Sequence, residues 1–315
     1  MKIEMTRVIE LLNSAEDVLI LTHKNPDGDT LGCGTALCCA LQAMGKRAKV
    51  VNSDVIPSKY DFLFEGIEKQ DFEPKFIIAV DVADTKLLGT ELEEKYASCV
   101  DLCIDHHGSN VEYAKELYLR ADDGAAALTL FRIFKEMGVT ITPQMATDLY
   151  TGISTDTGCF RYSNASSECY RVGAELIDLG ANNADINVAM FEMKPQSYFE
   201  LLKLVLAGMR TFCDGKVVVL KVTNEMFSAT GATRDQCDAI AALSRQFEGA
   251  LCGITMKEKE NGGFKFSLRT HSPLDAAKLC GNFGGGGHMR AAGCDATDEE
   301  ATLKTLISLI EEELK

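Results

Sequence analysis

Short apolar runs alternate with longer stretches of helical spacing through roughly the first 180 residues. DVLILTH (17–23), AKVVNS (48–53), KFIIAVDVAD (75–84) and VDLCIDHH (100–107) read as strands, and helices are predicted over about 30–44 and 125–137. These strands are continuously apolar rather than alternating, the pattern of a parallel sheet covered on both faces. Strand and helix in turn imply right-handed βαβ units. The predicted fold class is α/β: an N-terminal doubly wound, mainly parallel sheet domain and a smaller C-terminal α/β domain, with a cleft between them.

Near residue 181 the pattern changes. ANNADINVAMFEMKPQ opens polar and Asn-rich, and Pro195 separates two helical stretches, the second over about 196–209. Beyond it KVVVLKVT (216–223), ALCGITMKEK (250–259) and FKFSLRT (264–270) read as strands, with helices over 234–247 and 298–314. Asn261-Gly262-Gly263 between two β-rich runs is a hairpin signal. The expected division is a first domain at 1–185, a linker helix at 186–212 and a second domain at 213–315.

Composition narrows the class. Across 315 residues the formal net charge is −15, which argues against a bulk electrostatic binder of nucleic acid. No long Lys/Arg tract suits a long nucleic acid either. No apolar run approaches the roughly 18 residues of a membrane span. The opening MKIEMTRVIELL carries Glu4 and Glu10 and lacks a cleavage site, so no signal peptide is expected. Most of the twelve cysteines lie inside apolar runs, such as Cys33, Cys38 and Cys39, and no paired CxxC units recur. They read as small buried hydrophobes in a reducing compartment. The expectation is a cytoplasmic protein without membrane association.

Acids and imidazoles collect where the predicted strands end. His23 closes the first and leads into Asn25-Pro26-Asp27-Gly28-Asp29, a loop by its Pro and Gly. Asp81 and Asp84 follow the KFIIAV run, Asp105, His106 and His107 end the VDLCI run, and Asp156 follows an apolar stretch containing Ile153. Any one of these is compatible with a helix cap or a turn. Together, at successive strand ends of a parallel sheet, they mark its ligand-binding edge. Carboxylates crowded there would repel and hold protons unless divalent cations joined them. Imidazole with carboxylate suits Mn²⁺ and related ions better than Ca²⁺. Two such ions, sharing a carboxylate, would activate water for in-line attack on phosphorus.

A second motif is Gly284, Gly285, Gly286, Gly287 and His288, between Phe283 and MRAAG. Glycines let a backbone approach an anion closely. No Lys-Ser or Lys-Thr follows, so this is not a P-loop. Lys265, Arg269, Lys278 and Arg290 against Asp275 give the 264–290 stretch a local charge of +3. That is a basic patch within an acidic chain.

In this order HKNPDGDTLG, VDVAD, IDHHGSN and STDTGCFRY resemble the four motifs of the DHH phosphoesterase family. FSLRT and FGGGGHMRAAG resemble the DHH-associated substrate-binding domain that closes one branch of it. The resemblance covers nearly the whole chain, and the length is similar to the NrnA type, oligoribonucleases that also act as phosphatases of 3′-phosphoadenosine 5′-phosphate (pAp). It implies two Mn²⁺ ions, with Co²⁺, Mg²⁺ or Fe²⁺ as substitutes. Carried over, His23, Asp27 and Asp81 would bind one metal and Asp29, Asp81, His106 and Asp156 the other, with Asp81 as the bridge. Asp105 would orient a histidine, and His107 would contact the scissile phosphate and help protonate the leaving oxygen. Arg269, the four glycines and His288 would hold the substrate's terminal phosphate or base. Cys33 and Ala165 depart from the residues common at their positions, Ser and Thr. The implied activity is metal-dependent hydrolysis of short oligoribonucleotides (nanoRNA, as a 3′–5′ exonuclease) and of pAp to AMP. Relatives of the same architecture act on cyclic di-AMP or linear pApA, and a homodimer is common for it. The four N-terminal motifs alone would also suit an inorganic pyrophosphatase or exopolyphosphatase, but the GGGGH domain argues for nucleotides.

Overall fold

Val18 and Ile20 of β1 (Val18–Leu21) bury into one apolar core, and Leu19 and Leu21 bury into another on the opposite face. β3 (Phe76–Val80) repeats this, with Ile78 and Val80 on one side and Ile77 and Ala79 on the other. Two covered faces explain why these strands carry no polar alternation. β2 (Ala48–Val51), β4 (Leu102–Asp105) and β5 (Glu116–Leu119) complete a five-stranded sheet in the order β2-β1-β3-β4-β5, every neighbour parallel. Strand order reverses between β1 and β3, where open parallel sheets bind ligands.

The structure, a computed structural model, describes all residues of 1–315 except 235, 238, 239, 241, 242 and 245. The chain divides into two compact units, Met1–Met193 and Lys194–Lys315. In the first, the helices are α1 (Met5–Ser14), α2 (Gly28–Ala43), α3 (Thr90–Tyr96), α4 (Ala126–Met137), α5 (Pro143–Asp156) and α6 (Ser167–Asp178), with a short helix at Asn183–Asn187. The sequence pattern did not predict α1, α3, α5, α6 or β5. α5 starts where Thr142 Oγ1 accepts the Met145 amide and Pro143 takes the first helical position. It packs against α2, α4 and α6. A side chain at Gly32 of α2 would overlap the Asp148 carbonyl of α5, so the two helices cross at backbone contact.

The second unit is built on a six-stranded mixed sheet ordered β10-β11-β9-β8-β7-β6. Its strands are β6 (Arg210–Phe212), β7 (Val217–Val222), β8 (Cys252–Glu258), β9 (Phe264–Thr270), β10 (Gly286–His288) and β11 (Ala291–Ala296). Among the described residues, only the β7–β8 pair of this sheet is parallel. β8 and β9 form the expected hairpin, with Gly262 and Gly263 at φ +86° and +74° in its turn. Helices Ala276–Gly281 and Glu299–Glu313 pack on one face and Gln196–Ala207 and Asn224–Thr230 on the other. The helix expected over 234–247 falls on a stretch that includes the residues outside those described. Part of the glycine run, read as a loop, is the edge strand β10.

Candidate metal centre

β1, β3 and β4 end at one edge of the sheet and set down His23, Asp81 and His106 there. His23 Nδ1 donates to the Lys24 carbonyl at 2.9 Å, which leaves Nε2 facing Asp27 Oδ1 and Asp81 Oδ2, each at 3.6 Å. Asp27 caps α2 by accepting the Asp29 and Thr30 amides at 3.0 and 3.1 Å. Asp81 sits at φ +58°, held by its amide donating to the Ile104 carbonyl at 2.9 Å. Few residues other than Gly, Asn and Asp visit that region.

His106 Nδ1 donates to the Asp123 carbonyl at 3.0 Å. Its Nε2 lies 3.4 Å from Asp81 Oδ1, 3.3 Å from Asp156 Oδ2 and 3.8 Å from Asp29 Oδ2. Because a carbonyl can only accept, both imidazoles carry hydrogen on Nδ1 and turn Nε2 to the carboxylates. The placement of Asp156 needs correction. It does not follow a strand but is the last residue of α5.

Asp29 is completely buried and serves two structures. Its Oδ2 and Oδ1 accept the Ala126 and Ala127 amides at 2.6 and 2.9 Å, capping α4 from another helix. Cys33 Sγ lies 3.5 Å from Asp29 Oδ1. A Cβ at Gly152 would fall 2.6 Å from both Asp29 Oδ1 and Ala127 Cβ. Gly152→Ala is therefore expected to push Asp29 off its seat. Overpacking of this kind costs about 1–3 kcal/mol, which a lowered thermal midpoint and weakened metal binding together would report.

Among the described residues, three sets of ligand atoms each lie within 4.8 Å of one another: His23, Asp27 and Asp81; Asp29, His106 and Asp156; and Asp81, His106 and His107. Asp81 Oδ1 and His106 Nε2 are buried and have no hydrogen-bond partner among the described residues. Such orphaned atoms are costly unless something else binds them. Burial opposes the charged form of His23, but Asp27 and Asp81 outweigh it and raise its pKa to about 11. For His106 burial is likewise outweighed, chiefly by Asp81 and Asp29, and the pKa rises to about 10. Burial, with Asp81 and Asp27 adding to it, lifts Asp156 to about 7. Asp29 is raised well above the usual carboxylate range by burial and then by the charges of Asp81 and Asp156. Protons here do the work of cations, and a divalent ion fits the same donors.

Asp105 is engaged otherwise. Its Oδ1 accepts from the His106 amide (2.8 Å), the His107 amide (3.2 Å) and His107 Nδ1 (2.9 Å). Its Oδ2 accepts from Asn110 Nδ2 at 2.6 Å. Burial alone would raise its pKa, yet the bonds from His107 and Asn110 hold it below the ordinary value. The Asp105 bond also raises the pKa of His107, whose side chain is 43% exposed. Sequence reading did not assign the roles of Asn110, the Asp123 carbonyl and the Lys24 carbonyl. Only Asn110 had a signal, its place in IDHHGSN.

In the second unit Arg269 of β9 and His288 of β10 both stand opposite Ala291 of β11. Directly paired residues share a face, so the two side chains flank Ala291 on one side of the sheet, roughly 10 Å apart across two strand spacings. Gly286 and Gly287 lie in β10, and Gly284 and Gly285 lead into it. A Cβ at Gly285 would press on Cys294 Cβ at 2.5 Å, so only a bare backbone fits there.

Residues 17–153 match the DHH family, N-terminal domain, and residues 214–315 match the DHHA1 domain. Over 99% of its length the chain is 31% identical to the bifunctional oligoribonuclease and PAP phosphatase NrnA of Thermus thermophilus, covering 94% of that protein. The chain belongs to the DHH phosphoesterase family. This DHH-family chain is 26% identical to a probable manganese-dependent inorganic pyrophosphatase of Bacillus mycoides, but over only 54% of its own length and 57% of that protein. An exopolyphosphatase-related protein from Bacteroides fragilis shares its fold, with a TM-score of 0.88 at 20% identity over 98% of this chain and 97% of that one. Among the described residues, no helix of this phosphoesterase is long and apolar enough to cross a membrane.

Proposed function

We propose that the chain hydrolyses short oligoribonucleotides and pAp at a centre for two Mn²⁺ ions, with His23, Asp27 and Asp81 around one and Asp29, Asp81, His106 and Asp156 around the other. The observation that carries this reading is Asp81. Its Oδ2 faces the His23 group at 3.6 Å and its Oδ1 faces His106 at 3.4 Å, the disposition a bridging carboxylate needs. The mixed oxygen and imidazole donors suit Mn²⁺, and Co²⁺, Fe²⁺ or Mg²⁺ less specifically. Cations bound there would neutralise charge developing on the phosphoryl group and lower the pKa of a water.

The protein's own groups supply the rest. His107 holds a proton, steadied by Asp105 at Nδ1, and offers it from Nε2 to the leaving oxygen. Asn110 fixes Asp105 from behind. Arg269 and His288, on one sheet face beside the glycine run, would hold the substrate's terminal phosphate or base. Similarity to a bifunctional oligoribonuclease along nearly the full chain supports nucleotides over pyrophosphate, whose enzymes match only about half of it. Twelve free thiols support a cytoplasmic location.

The test is a side-by-side hydrolysis assay with Mn²⁺ on pAp, a 5′-phosphorylated RNA dinucleotide, a five-nucleotide RNA, cyclic di-AMP and pyrophosphate. Turnover led by pAp or the short RNAs is expected. A lead for cyclic di-AMP would make this a second-messenger phosphodiesterase with the same centre. Turnover of pyrophosphate alone would overturn the nucleotide assignment.

A further inference from the structure

Directly after Asp156 the backbone does something costly. Gly158, Cys159 and Phe160 take φ +58° in succession, and two of the three are not glycine. Runs of left-handed residues persist only where their surroundings force them, and such places concentrate at functional sites. Here the surroundings are explicit. The Phe160 ring lies between Tyr150 and Tyr170, with centroids at 5.7 and 5.3 Å, and Tyr170 Oη donates to the Phe160 carbonyl at 2.6 Å.

The turn is also tied to the metal centre. Asn164 Nδ2 donates to the carbonyls of Asp156 and Gly124 at 3.1 and 3.0 Å. Gly124 follows Asp123, whose carbonyl orients His106. The amides of Arg161 and Tyr162 both donate to the Thr157 carbonyl at 3.0 Å, which keeps them one turn from Asp156.

What this braced turn presents is an aromatic ring and a guanidinium. Tyr162 lies on Gly158, where any Cβ would overlap its ring, and remains 48% exposed. Arg161 Nε donates to the Gly158 carbonyl at 2.7 Å, and its guanidinium stands 5.9 Å from the Phe191 ring centroid. A ring backed by bare backbone is a stacking surface, and a tethered guanidinium is a phosphate clamp.

We propose that this turn is a nucleotide subsite of the first unit: Tyr162 stacks the nucleobase nearest the metal centre, and the Nη edge of Arg161 takes the phosphate beside that base. The inference rests on the nucleotide reading above and adds to it a residue pair that selects bases over inorganic phosphate esters.

The test compares wild type, Tyr162→Ala, Tyr162→Phe and Arg161→Gln on the 5′-phosphorylated RNA dinucleotide and on two versions lacking the base at one sugar or the other. Each protein is also titrated calorimetrically with the intact dinucleotide, and its thermal midpoint is recorded. Tyr162→Ala is expected to raise KM and the dissociation constant about 10- to 100-fold with kcat within about twofold, the range found for base–aromatic stacking. Tyr162→Phe keeps the ring, so its KM and dissociation constant should stay much nearer wild type than those of Tyr162→Ala. On one of the two abasic dinucleotides, wild type and Tyr162→Ala should coincide, because the base that made the difference is gone. Arg161→Gln should weaken binding of all three substrates, less so at high salt. Unchanged binding by Tyr162→Ala, or a defect that persists on both abasic substrates, overturns the subsite while wild-type turnover leaves the nucleotide reading standing. Wild type that neither binds nor cleaves the dinucleotide overturns that reading, and the subsite with it.

Discussion

Asp81→Asn is expected to lower hydrolysis of every substrate by more than about 100-fold, because even residues that merely support a metal ligand cost roughly 10- to 100-fold when removed. Among the described residues Asp81 is the single carboxylate that faces both His23 and His106, and its buried Oδ1 has no hydrogen bond there to lose. Asn is the informative replacement. It keeps the shape and tolerates φ +58°, whereas Ala would add roughly 1–2 kcal/mol of left-handed strain. Removing one negative charge relieves repulsion on Asp29 and Asp156, but it also takes away a partner that holds His23 and His106 protonated. With the two effects opposed, the metal-free variant should fold and melt within a few degrees of the wild-type temperature while binding less metal. Turnover numbers, metal content and a thermal melt of the chelated protein check this together. An active Asn variant would remove the bridge from the proposed centre.

The parts of this architecture that were legible in the chain are those that depend on local pattern. β1, β3 and β4 announce themselves as unbroken apolar runs because both of their faces are covered, and the acids beyond them mark the edge at which a parallel sheet binds ligands. The Asn261-Gly262-Gly263 turn was legible for the same local reason. α5 was not. Its sequence, PQMATDLYTGISTD, carries three Thr, one Ser and one Gly, and it is helical because α2, α4 and α6 enclose it. Asp156 was therefore placed at a strand end, whereas it closes a helix.

Long-range partnerships were beyond pattern altogether. Asp29 caps α4 through amides 97 and 98 positions away, so its burial follows from how α2 crosses α4, not from neighbours in HKNPDGDTLG. Arg269 and His288 share a sheet face through the register of two antiparallel pairs, and a one-residue slip in either would part them. Fold class is written in periodicity, while the working environment of each acid is written in packing.

Metal affinity is expected to climb steeply with pH, and the stability of the metal-free protein to move the opposite way. His23 and His106 are raised from 6.5 to about 11 and about 10, and Asp156 from 3.8 to about 7. In all three cases the folded state binds protons more tightly than the unfolded state. Each contribution to stability is therefore complete below the ordinary pKa and is lost as pH rises through the raised one. The window runs from about pH 4 to 7 for Asp156 and from about 6.5 to 10–11 for the two histidines. Ligation requires the same atoms deprotonated, so between pH 7 and 9 binding must expel the protons from both imidazoles. Release of roughly two protons corresponds to about a 100-fold gain in affinity per pH unit. Calorimetric titration of chelated protein with Mn²⁺ in buffers of different ionisation enthalpy measures that release directly. Melts with and without metal should draw apart as pH is raised from 6 to 9. A pH-independent affinity would mean that His23 and His106 are not displaced by the ion, and the two ligand groups would have to be redrawn without them.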